Sequence, residues 1–109
     1  MTKQGTDINY AMQILQDGGL VGIPTETVYG LAANALAHAA VVKVFEAKNR
    51  PSFDPLIVHV GSINEFRNYA KDIPENAMKL AEKVCPGPIS FVFKKKHVVP
   101  DLVTSGHPT

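Results

Sequence analysis

The chain has 109 residues, 45% of them hydrophobic and 19% charged, with a formal charge of +1. Those proportions exclude a disordered or fibrous chain, and this length buries a real core without disulfide or metal staples. The near-neutral balance gives no global signal for nucleic acid or membrane, so any basic surface must be local.

In chain order, residues 6–17 place Ile8, Ala11, Met12 and Leu15 at helical spacing, and Gly18-Gly19 supplies the stop. Leu20 to Ile23 is a short apolar run ending at Pro24, which predicts a buried strand opening into a hydroxyl-rich loop over residues 24–30. Residues 37–47 predict a helix with Val41, Val44 and Phe45 on one face, and residues 48–55, with two prolines, are expected to be irregular. Leu56-Ile57-Val58-His59-Val60 gives the clearest strand pattern. Ser62 and Glu65 have capping-box spacing for a short helix through about Tyr69. Pro74 suits a first helical turn, followed by the stripe Ala77, Leu80, Ala81 and Val84. Cys85-Pro86-Gly87-Pro88 ends that helix, and residues 89–93 are expected to resume as a strand. Residues 98–109 are expected to trail off without a closing helix. Alternating helices and strands, with no repeat or linker, predict a single layered domain of α/β (α+β) class.

Three groups of residues have chemical potential. In Pro24-Thr25-Glu26-Thr27-Val28-Tyr29-Gly30 an extended backbone sends the hydroxyls of Thr25, Thr27 and Tyr29 to one side, where they offer donors and acceptors to an amino acid or a phosphate. The plainer reading is a strand continuation with surface threonines. Lys48 and Arg50, at i and i+2 of a non-helical segment, provide a point charge and a planar fork for a polyphosphate or carboxylate. Alternatively, they complement the end of the preceding helix. His59 lies inside an apolar strand, where a satisfied core histidine competes with a substrate-positioning one.

Other features carry less. Lys94-Lys95-Lys96-His97 is read as solvated surface rather than a nucleic-acid contact. The single cysteine, Cys85, cannot form an internal disulfide and is read as structural, which fits a reducing compartment. The carboxylates are too scattered for a metal site, and neither a Gly-x-x-x-x-Gly-Lys loop nor a Gly-x-Gly-x-x-Gly turn occurs. Residues 1–9 lack the apolar run of a signal peptide, and no stretch approaches the roughly 20 apolar residues of a membrane span. A soluble, cytoplasmic protein is expected.

Taken together and in order, Ile23–Leu31 (IPTETVYGL), Lys48-Asn49-Arg50-Pro51, Pro55–Val60 (PLIVHV) and Cys85–Ser90 (CPGPIS) resemble the YrdC/TsaC family of threonylcarbamoyl-AMP synthases. The resemblance implies a twisted, mostly mixed sheet with flanking helices and a concave, positively charged face. It implies synthesis of L-threonylcarbamoyl-adenylate from L-threonine, bicarbonate and ATP, with release of pyrophosphate, for threonylcarbamoylation of tRNA. Thr27 and His59 are then expected to contact threonine, with Thr25 and Tyr29 shaping the same loop. Lys48 and Arg50 are expected to face the ATP phosphates, and Asp54 and Thr109 to make further nucleotide contacts. Magnesium is expected on the ATP phosphates, with no metal site of the protein's own. Downstream threonylcarbamoyl transferase proteins are the implied partners.

The family's later motifs, an arginine-bearing strand near Thr109 and a Ser-x-Asn segment, are not in this sequence. The domain is therefore expected to be incomplete at its C-terminal end, and the 109 residues alone inactive. Two competing readings share these motifs. One is a non-catalytic module that binds double-stranded RNA or tRNA. The other is a carbamoyl-transfer domain of hydrogenase maturation, disfavoured because Met1 lies close before the first helix.

Overall fold

Asp7 begins the first helix, α1 (Ile8–Gln16), its carboxylate accepting from the Tyr10 N–H at 3.2 Å. The structure, a computed structural model, describes residues 2–109, so Met1 lies outside the described residues. Gly18, at φ +82°, ends α1 in a Schellman turn: its N–H donates to Leu15 and the Gly19 N–H to Ile14. A Cβ on Gly19 would lie 2.7 Å from the Ile14 side chain, so only glycine lets the chain turn this closely. The half-buried face of α1 is Ala11, Ile14 and Leu15, turned toward β1. The expected stripe through Ile8 and Met12 is corrected, because Ile8 is 82% exposed and Met12 49%.

Strands β1 (Val21–Ile23) and β2 (Gly30–Ala32) form an antiparallel hairpin in the register Val21↔Ala32, Gly22↔Leu31 and Ile23↔Gly30. The β2 strand was not legible in the sequence. Helix α2 (His38–Lys48) buries Ala40, Val41, Val44 and Phe45, as its periodicity predicts. The Lys43 ammonium donates to the Gly18 carbonyl at 2.8 Å, placing a cation on the negative end of α1. These elements form one compact unit, ending at Arg50, and Pro51–Thr109 forms a second.

In the second unit, the segment 55–60 keeps the predicted alternation. Leu56, Val58 and Val60 are half-buried, while Ile57 and His59 are exposed. It is not a strand, however: a strand requires a ladder, and among the described residues none runs beside it. Its Leu56 N–H donates instead to the Val103 carbonyl at 2.8 Å. The predicted capping box is present. Ser62 and Glu65 cap each other around the 3₁₀ turn Ile63–Glu65, and the Glu65 carboxylate also accepts from the Gly61 N–H at 2.8 Å. Helix α3 (Phe66–Tyr69) leads into β3 (Ala70–Lys71), and α4 (Glu75–Val84) follows with Pro74 as its N-cap. On α4, Ala81 is fully buried and Ala77, Met78 and Val84 are half-buried. Leu80, expected in the stripe, is 47% exposed.

Residues 89–93 are a second correction. The ladder begins only at β4 (Lys94–Lys95), antiparallel to β3, so the expected strand shifts toward the lysines. Alternation before it turns Phe91 and Phe93 onto Phe66, with ring centroids 5.6–5.7 Å apart, and leaves Val92 80% exposed. The segment 98–109 does not trail off. Val99 and Val103 are 4% and 1% exposed, and the Lys95 N–H donates to Pro108 at 2.9 Å. Among the described residues, no helix is long and apolar enough to cross a membrane.

Candidate substrate site

Residues 24–29 form the loop of the β1–β2 hairpin, and Thr25 organises it. Its hydroxyl accepts from the Thr27 N–H at 3.2 Å, donates to the Val28 carbonyl and lies 3.4 Å from the Thr27 hydroxyl. A hydroxyl closing on the backbone two and three residues ahead builds a local turn. This corrects both sequence readings of the loop: the backbone bends at Glu26, Thr27 and Val28 rather than extending, so the hydroxyls do not share a side through alternation. Thr25 and Thr27 come together through the turn. Tyr29 is 81% exposed. The Thr25 methyl rests over Gly30, where an added Cβ would lie 3.4 Å away.

The cation pair is also placed differently from expectation. Lys48 is the last residue of α2, and Asn49 takes the left-handed conformation at φ 48°, ψ 41°. The Arg50 N–H donates to the Phe45 carbonyl at 2.9 Å and the Asn49 N–H to Glu46 at 3.2 Å, a second Schellman turn. Lys48 is therefore helical, and the alternation argument that put it beside Arg50 fails at Asn49. Lys48 is exposed and Arg50 half-buried. Both stand at the negative end of α2, where cations are favoured.

The remaining predicted residues belong to the second unit. His59 is exposed, with Nδ1 3.1 Å from the Ile57 carbonyl, so the buried core-histidine reading is set aside. Asp54 is half-buried in a turn whose N–H donates to the Pro51 carbonyl at 3.0 Å, and Thr109 is exposed. Among the described residues, no three or more His, Cys, Asp and Glu side chains are grouped to hold a metal.

The lysine run is not uniformly solvated. The side chain of Lys95 is 13% exposed and its ammonium contacts the Asp101 carboxylate at 2.6 Å and the Val99 carbonyl at 3.2 Å. That hydrogen bond, with the charge behind it, holds the Asp101 carboxyl below its ordinary value. The sequence reading missed Arg67 and Lys71, which line a depression with Lys96. The signal, cations opposed across strands, becomes visible only once β3 is paired with β4.

Residues 13–109 match the family model Sua5_yciO_yrdC, described as telomere recombination. The threonylcarbamoyl-AMP synthase of Pyrococcus abyssi is 48% identical over 99 residues, covering 91% of this chain and 29% of that protein. The Bacillus subtilis threonylcarbamoyl-AMP synthase is 40% identical over 107 residues, covering 97% and 31%. The crystal structure of P. abyssi Sua5 complexed with L-threonine matches with a TM-score of 0.89 over 93% of this chain and 30% of that one, at 48% identity. The chain thus spans about 30% of the length of these relatives.

Proposed function

This chain belongs to the Sua5/YciO/YrdC family, and on that premise we propose that it carries part of the site of a threonylcarbamoyl-AMP synthase. One observation above all supports the reading: the relative solved with L-threonine is 48% identical and matches this chain at a TM-score of 0.89. The substrates are L-threonine, bicarbonate and ATP, and the product feeds tRNA threonylcarbamoylation by transferase partners in the cytoplasm.

The chemistry accounts for the residue types. The threonine amine, unprotonated, adds to bicarbonate-derived CO2 and loses a proton, giving a carbamate. A carbamate oxygen attacks the α-phosphorus of ATP; the bond to the β-phosphate breaks and pyrophosphate leaves. Two anions approach each other in this step, so Lys48 and Arg50 at the phosphates lower the barrier electrostatically. Thr27 and His59 hold threonine by its polar groups, and holding both reactants removes an entropic cost of up to about 7–11 kcal/mol. Thr25 holds the turn that carries Thr27, Tyr29 borders it, and Asp54 and Thr109 supply further nucleotide contacts. Magnesium, when bound, offsets charge on the leaving pyrophosphate. Substrate oxygens would hold it.

The test is pyrophosphate release by the full-length protein, with each of threonine, bicarbonate and ATP omitted in turn. Release should require all three. Nucleic-acid binding without any such release would replace this reading with that of a non-catalytic module.

A further inference from the structure

Of residues 98–109 the proposed function uses only Thr109, yet the segment is densely organised. Val99, Val103 and Thr104 are buried, so it is anchored in the core of its own unit. Its turn closes on itself. The Gly106 N–H donates to the Asp101 carbonyl at 2.9 Å, and the His107 N–H to the Thr104 carbonyl at 3.0 Å. The Thr104 hydroxyl donates to the His107 carbonyl at 2.9 Å. The Pro108 carbonyl then accepts from the Lys95 N–H at 2.9 Å, which ties the residue before Thr109 to β4.

At the crown of this turn Ser105 has φ +53°, in the left-handed region that serine seldom enters. Such a conformation persists only where its surroundings impose it. From there Ser105 reaches a partner 53 residues away in sequence: its hydroxyl donates to the Ser52 carbonyl at 2.7 Å. Two residues earlier, the Val103 carbonyl accepts from the Leu56 N–H at 2.8 Å. These two bonds grip the segment 52–56 at both ends. Pro51 and Pro55 have no N–H to donate, and among the described residues no strand runs beside residues 55–60. Asp54 lies between the two grips, its N–H donating to the Pro51 carbonyl at 3.0 Å.

We infer that Ser105 is a positioning residue, acting on the nucleotide through the turn that carries Asp54. Its hydroxyl clasps that turn to the segment carrying Thr109, and so holds the two proposed nucleotide contacts in register. The ligand's identity rests on the synthase reading; the clasp itself does not. Stability is a poor explanation for the bond. Ser52 is exposed, so water can take the place of the serine hydroxyl at its carbonyl. The left-handed serine backbone is itself unfavourable. Water does not replace the tie between two distant segments.

Three substitutions in the full-length protein separate the hydroxyl from the backbone. Ser105→Gly removes the hydroxyl and relieves the backbone. Ser105→Ala removes the hydroxyl and keeps the unfavourable backbone. Ser105→Thr keeps the hydroxyl and, being β-branched, strains the backbone further. Pyrophosphate release, Tm and amide hydrogen exchange are measured on each. The KM for ATP should rise about two- to fivefold in both the glycine and alanine variants, with kcat and the threonine KM close to wild type. Amide exchange at Asp54 and Leu56 should quicken by a similar factor in those two variants, while exchange at the buried Ala81 stays unchanged. The threonine variant should keep the wild-type KM and exchange although its Tm is the lowest of the set. An ATP KM that follows Tm across the set, worst in threonine, would make Ser105 merely structural and overturn the inference. Unchanged exchange at Asp54 and Leu56 in the glycine and alanine variants overturns it too. If circular dichroism finds the threonine variant unfolded, glycine and alanine decide: equal rises in KM at different Tm support the assignment, and a rise confined to the less stable one refutes it. A wild type that releases no pyrophosphate overturns the synthase reading and with it the nucleotide role, whereas quickened exchange still establishes the clasp. An active wild type with an unchanged ATP KM in the glycine variant sinks this assignment and leaves the synthase reading standing.

Discussion

Replacing Thr25 with valine tests whether this residue acts on threonine directly or through the turn it closes. Valine keeps the methyl over Gly30 and the shape of the side chain, but removes the hydroxyl that accepts from Thr27 N–H and donates to the Val28 carbonyl. Each hydrogen bond contributes about 0.5–1.5 kcal/mol net. The loop is exposed, so water replaces much of what is lost and the low end applies, about 1 kcal/mol for the two together. That shifts the turn's open–closed equilibrium about fivefold, since 1.4 kcal/mol is a factor of ten. Apparent affinity falls only by the fraction of turn that opens, which makes fivefold a ceiling. Thr25→Val in the full-length protein should therefore raise KM for threonine about two- to fivefold, leaving kcat and the KM for ATP close to wild type. Thr25→Ser restores the hydroxyl and should restore the KM. An unchanged threonine KM in the valine variant would refute the positioning role, and serine as impaired as valine would shift it from hydroxyl to methyl.

Arg50→Ala should lower kcat/KM for ATP at least tenfold, from loss of a charge-assisted contact of about 1.5–3 kcal/mol, while Lys79→Ala, an exposed partner of Glu75 at 3.7 Å, should not. His59→Ala should raise KM for threonine far more than that for ATP with little change in Tm, because the ring is exposed and its hydrogen bond is to the Ile57 carbonyl, two residues away; a large fall in Tm with an unchanged KM would make His59 structural. Asp101 has a carboxyl pKa lowered by Lys95, so its contribution to stability is present above the unfolded carboxylate pKa and fades as pH falls through the lowered folded value. Urea midpoints of wild type and Asp101→Asn should therefore differ at pH 7 and converge in acid, and because the Asp101 carboxylate is 88% exposed, added salt should shrink the gap at pH 7.

What was legible in the sequence is what short-range chemistry determines. Ser62, three residues before Glu65, and Gly18, after the last apolar turn of α1, each act within a few residues, and each sits where its type predicts. Pairing was not legible. Residues 56–60 and 89–93 have the composition and alternation of strands, yet a strand exists only beside a partner. The ladder that forms instead uses Lys94 and Lys95, whose composition argued for open surface. At the candidate site the geometry was not legible. Thr25 and Thr27 do meet, but through a hydroxyl-closed turn. Residues 98–109 read as a loose end because Pro100, Gly106 and Pro108 punctuate the apolar pairs Val98-Val99 and Leu102-Val103, and only the tertiary structure reveals that Val99 and Val103 are buried.

The two readings of Lys48 and Arg50 need not compete, and their magnitudes decide which governs function. The Schellman turn at Asn49 leaves Lys48 in the last turn of α2 and Arg50 just beyond it. A cation at the negative end of a helix gains about 0.3–1 kcal/mol when exposed, and salt screens it. A charge-assisted hydrogen bond to phosphate is worth about 1.5–3 kcal/mol. Under the proposed function, a triphosphate contact of that size would outweigh the helix-end interaction at both cations. Asn49 and two backbone hydrogen bonds fix the backbone that carries Lys48 and Arg50, so under the proposed function it is chiefly side-chain ordering that would oppose nucleotide binding.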